Sequence, residues 1–156
     1  MIDSLSLSRV PREPNWPYAM VGIGPGVRVG TPQGDRVIED LRTGDIISTR
    51  RGPRPLTDVV WQSVPAGFTV VTVDCGFGRR VEVGPGQSMV VRDWRAQIIW
   101  QRAAAAPPAA RLVDGETVYF GGRCPKFLIN LHLGQPEILT VEGLEFASAD
   151  AASQYQ

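Results

Sequence analysis

Apolar and polar residues along this chain change places in short runs, and few stretches carry helical spacing. Val27-Arg28-Val29 alternates and stops at the turn Gly30-Thr31-Pro32-Gln33-Gly34. Val37-Ile38 follows, and Asp40-Leu41-Arg42-Thr43-Gly44-Asp45 turns the chain into Ile46-Ile47-Ser48-Thr49. Gly52-Pro53 reads as the end of that strand. Period-two or β-branched runs predict further strands at 57–64, 69–73, 79–83, 88–91, 97–100, 117–120, 127–133 and 138–141. Residues 103–110 form the one candidate helix, but Pro107-Pro108 divides it, so a helical turn or loop is expected. About ten short strands at regular spacing predict an all-β antiparallel domain.

Composition changes this picture little. The 156 residues are 43% hydrophobic and 21% charged, with 17 Gly and 13 Pro, which suits many turns and one core. The formal net charge is zero, so no basic excess is available for nucleic acid. No apolar run reaches membrane-spanning length, and no membrane partner is expected. No basic segment followed by an apolar run marks a signal peptide, so a cytoplasmic location is the default expectation. Cys75 and Cys124 form no CxxC pair, so neither a metal nor any other cofactor is expected. Two buried free thiols are the simplest reading. Residues 1–20, with Pro11, Pro14 and Pro17, read as a leader that Trp16 and Tyr18 could anchor. Residues 21–148 then form the domain and 149–156 a tail.

The order of the turns carries a resemblance. Gly26-Val27-Arg28-Val29-Gly30-Thr31-Pro32-Gln33-Gly34, followed by Val37-Ile38-Glu39-Asp40-Leu41-Arg42-Thr43-Gly44-Asp45, resembles the opening block of a Hint (Hedgehog/intein) domain. Val59-Val60-Trp61, Val83–Asp93, Trp94–Trp100, Ala109–Gly115 and Leu131–Gly143 match later blocks in order, as in the bacterial Hint group. The resemblance implies a compact, horseshoe-like antiparallel fold over Val21–Ser148. It also implies self-processing: autoproteolysis or protein splicing. A first-residue Cys or Ser attacks the preceding carbonyl, and a second-block histidine protonates the leaving amide nitrogen.

Those chemical groups are missing. The matched nucleophile position is Gly22, which has no side chain. The second-block histidine falls on Gln87, which cannot titrate near neutrality. The last block's histidine falls on Pro136. The resemblance therefore implies a degenerate Hint domain without an intact catalytic set, kept as a scaffold or as a binding module for a protein partner or flanking domain. Residual processing through Cys75, Cys124 or Ser88, with His132 as a base, is the alternative. An anion-binding β domain, drawing on a basic set in which Lys126 is the only lysine, is the third reading. Trp61, Trp94, Trp100 and Phe120 are expected in the core.

Overall fold

The computed structural model describes residues 20–150, so the leader's Trp16 and Tyr18 lie outside the described residues. Eleven strands are all paired antiparallel: β1 Arg28–Val29, β2 Arg36–Val37, β3 Ile46–Thr49, β4 Gly52–Pro55, β5 Asp58–Ser63, β6 Val71–Gly76, β7 Arg79–Val83, β8 Val118–Phe120, β9 Phe127–His132, β10 Ile138–Val141 and β11 Leu144–Ala147. The first sheet runs β2-β1-β10-β3-β4, with β11 also on β10. The β5-β9 and β7-β6-β8 ladders meet through Ile23, which bridges both Ile129 of β9 and Val83 of β7. Chain ends thus interleave: β10, from the last block, lies between β1 and β3 from the first.

The turns behave as their residues dictate. Thr31 donates its hydroxyl to the Gly34 carbonyl, and the Gly34 N–H returns to the Thr31 carbonyl at 3.0 Å. β3 stops ahead of Gly52-Pro53, but that pair opens a further strand instead of a loop. The Thr49 hydroxyl bonds the Gly52 carbonyl at 2.6 Å, and the chain reverses into β4, which pairs with β3. Pro53 and Pro55 are tolerated because β4 is a sheet edge, where a missing N–H costs nothing.

Several expectations are corrected. Gln97–Trp100 is not a strand; it belongs to the one α-helix among the described residues, α1, Trp94–Trp100. Asp93 starts it by accepting the Arg95 N–H at 3.0 Å. Residues 88–91 make isolated bridges from Ser88, Met89 and Val91 instead of a strand. Ile38 begins a 3-10 turn after β2, and a second such turn, Ala109–Leu112, follows Pro107-Pro108. Trp61, Trp94 and Phe120 are exposed, and Trp100 is only partly buried against the core. Cys124 is exposed and Cys75 half-buried, and both are free thiols. The buried cluster instead uses mainly aliphatic residues of every sheet, among them Val29, Ile47, Val81, Ile129 and Leu139, with Phe146 as its large aromatic.

Candidate functional site

Met20–Gly24 crosses the second half of the fold as a strap. Backbone bonds tie it to both neighbours: Gly86 N–H to the Met20 carbonyl at 2.9 Å, Gly84 N–H to the Gly22 carbonyl at 3.0 Å, Ile23 N–H to the Ile129 carbonyl at 3.0 Å and Gly24 N–H to the Glu82 carbonyl at 2.6 Å. Gly84 permits this approach, because a Cβ there would collide with the Met20 carbonyl. The segment Gly84–Ser88 therefore lies along the strap, and the Val21–Gly22 peptide bond sits between it and β9.

That peptide bond is held at both ends. The Gly22 N–H donates to Gln87 Oε1 at 3.0 Å. Gln87 is only 4% exposed, and its Nε2 donates to the Ala147 carbonyl at 2.8 Å and the Ser88 carbonyl at 3.1 Å. Two carbonyls around Nε2 fix the orientation of the amide, so the atom facing Gly22 is an acceptor. Across the bond, Asn130 Nδ2 lies 3.5 Å from the Val21 carbonyl oxygen, while its Oδ1 is buried without a partner. Gly22 itself has φ +120°, and a Cβ on it would fall 2.9 Å from Leu128 Cβ and 3.0 Å from Asn130 Nδ2.

The sequence-matched positions divide accordingly. Gly22 and Gln87 are in direct contact. Pro136 makes no hydrogen bond to either; it is exposed, and its carbonyl accepts from Arg51 Nη2 at 3.4 Å. Its neighbour Glu137 is the buried group there. Arg51 grips the Glu137 carboxylate through Nε at 3.1 Å and Nη2 at 3.0 Å, and this holds the carboxyl below its ordinary range despite burial.

The substitute nucleophiles do not assemble with a base. His132 Nδ1 faces Asp150 at 3.7 Å. Cys75 Sγ points to the Val73 carbonyl at 3.8 Å, and Cys124 Sγ to the Phe68 carbonyl at 3.3 Å. Burial first, then Glu142 and Asp74, push the Cys75 thiol up to about 11, which leaves little thiolate at neutral pH. Ser88 is buried beside Gln87, and its hydroxyl has no partner. Among the described residues no group of His, Cys, Asp or Glu is arranged to hold a metal.

Asn130 is the site residue that sequence reasoning missed. Its signal is one amide inside the apolar run Leu128-Ile129-Asn130-Leu131, where a buried polar side chain needs a reason.

A family model described as a Hint domain matches residues 22–152, most of the chain. The chain belongs to the Hint domain family. The matched region opens at Gly22, the residue whose N–H Gln87 holds. A crystal structure of the MchDnaB-1 intein (N145AA) is similar in fold, with a TM-score of 0.53 and 12% identity. The similarity covers 81% of this chain and 99% of that one. No curated protein matches the sequence.

Proposed function

We propose that this Hint domain has lost the acyl shift and holds its upstream segment uncut, as a scaffold or binding module. One observation carries the reading. At Gly22 no side chain is present to attack Val21, and the space for one is filled by Leu128 and Asn130. Gln87 supports it, since an amide oxygen accepting the Gly22 N–H cannot deliver a proton to that nitrogen. Gly22, Gln87 and Pro136 are then vestigial positions.

Intact mass of the purified chain tests this. The expected outcome is a single 17.0 kDa species after days with excess dithiothreitol or hydroxylamine. A fragment pair divided at Val21–Gly22 overturns it.

One observation favours a second reading, residual processing: the unpartnered buried hydroxyl of Ser88 next to Gln87. That reading requires cleavage of the wild type that Ser88→Ala abolishes.

A further inference from the structure

We propose that the outer edge of β5 is a self-association surface, on which two copies of the chain pair β5 to β5 antiparallel about a two-fold axis at Trp61. The other sheet edges are guarded. β2 is two residues long and β8 three, β4 carries Pro53 and Pro55, β11 bonds Ser88 and Val90, and the strap lies against β7 and β9. β5 is six residues long, contains no proline and pairs only with β9. An open edge of this kind is a template for another strand.

The register shows which backbone groups are open. Val64 extends the ladder by donating its N–H to the Lys126 carbonyl at 2.9 Å, so the even-numbered residues of β5 turn their backbone toward β9. Ile129, opposite Trp61, exchanges both its backbone bonds with Ile23 instead, as that alternation requires. Val59, Trp61 and Ser63 therefore point their N–H and C=O groups away from the sheet. Among the described residues only one of those groups has a partner: the Val59 N–H bonds Asp58 Oδ1 at 2.9 Å. The side chains are apolar for so open a position. Val60 and Trp61 are 40% and 44% exposed, and Trp61 meets the exposed Phe127 edge to face at 5.7 Å.

Symmetry and charge select a second copy as the occupant. The outward set 59, 61 and 63 is centred on Trp61. An antiparallel copy therefore sets Trp61 opposite Trp61 and Val59 opposite Ser63, with open backbone groups meeting open backbone groups. The two indoles become a cross-strand aromatic pair. In this register Asp58 faces Val64 of the second copy. Lys126 of the second copy lies one strand beyond on the same face, about 10 Å from Asp58 across two strand spacings, within reach of a lysine side chain. Lys126 is the only lysine in the chain. Asp58 and Lys126 are both exposed, and neither has an ion-pair partner among the described residues. The two-fold axis makes this pairing twice and sets no like charges opposite each other. An unrelated peptide fits the open backbone but has no reason to match both the symmetry and the charges.

Sedimentation velocity of the full chain across concentration tests the inference. A short strand interface is weak, so the 17.0 kDa monomer is expected at about 1 µM and a species of twice that mass at about 100 µM. Ser63→Pro removes an outward N–H that β9 does not use, as the prolines of β4 do, and is expected to weaken association roughly tenfold with the melting temperature unchanged. Asp58→Lys and Lys126→Asp each weaken it several-fold, and the double exchange restores it. In hydrogen exchange, the Trp61 and Ser63 amides gain protection only at concentrations where the dimer forms. A monomer at every concentration overturns the inference, and so does a dimer indifferent to Ser63→Pro. A double exchange no tighter than its single variants overturns it as well. Full protection of both amides in the monomer means that the same chain covers the edge, and also overturns it.

Discussion

At the scale of single residues, the site is a peptide bond with its partners already in place. Gln87 satisfies three backbone groups, the Gly22 N–H and the Ala147 and Ser88 carbonyls. Gln87→Ala strands the Gly22 N–H and the Ala147 carbonyl in a buried setting, while the Ser88 carbonyl keeps the Ala147 N–H at 3.0 Å, so a loss of about 1–3 kcal/mol is expected in urea unfolding. Restoring the family's residues is not expected to restore chemistry. Gly22→Cys with Gln87→His places a Cβ against Leu128 and Asn130 on a backbone of φ +120°. The double variant is expected to be less stable than wild type and uncleaved by intact mass; cleavage at Val21–Gly22 would show that the site can reopen. Gly22 and Gln87 were legible as matched positions only through the family resemblance, whose blocks flank each of them; their contact is seen in the structure. Asn130 was not legible, since one amide in a strand has no spacing partner. Pro136 matched a block by order alone, and order does not say where a side chain points.

At the scale of elements, the strands were legible where turn residues bounded them. β7 and β10 were read to the residue, because Gly and Pro or polar turns frame each one. β11 was missed, and the Gln97–Trp100 part of α1 was read as a strand. Its Trp94, Ile98 and Ile99 face outward and only Ala96 is fully buried, so no apolar stripe at helical period marks it. Two elements are tied by a charge pair with a pH signature. Arg51, in the turn between β3 and β4, binds Glu137, just before β10. The folded protein holds the Glu137 proton less tightly than the unfolded chain, whose value is near 4.5. The pair's contribution is therefore full above that pH and is lost as pH falls through the lower folded value. Asp93, Asp114 and Glu145 are shifted the same way, whereas burial pushes Glu82 up, so the four lowered carboxyls make acid destabilising and Glu82 opposes them. Glu137→Gln is expected to flatten the dependence of unfolding free energy on pH below about 4.5, as measured by urea titrations across that range. The strap has its own sensitivity. Gly84→Ala forces a methyl group onto the Met20 carbonyl, and overpacking of this kind costs about 1–3 kcal/mol.

At the scale of the whole molecule, one buried cluster runs through both halves of the fold. Leu139 and Val141 come from β10, Val81 and Val83 from β7, and Ile23 from the strap that joins the ladders. The aliphatic core was visible in sequence as short β-branched runs, but its continuity follows from chain ends that interleave, which no local pattern encodes. Phe146 is the side chain that tests that continuity. It is fully buried on β11, opposite Leu139, and bridges to Met89 on the segment that follows Gln87. Truncating a buried Phe removes about 3–5 kcal/mol through lost transfer energy and the cavity left behind. For a chain of this size each kcal/mol shifts the melting temperature by about 2–4 °C, so Phe146→Ala is expected to melt roughly 6–20 °C lower. If the two halves form one cooperative unit, the shift is the same by tryptophan emission and by far-UV ellipticity, in one transition. Two separated transitions in the variant would instead mean that the first sheet and the strap region unfold independently, and that the uncut Val21–Gly22 bond joins two units rather than crossing one.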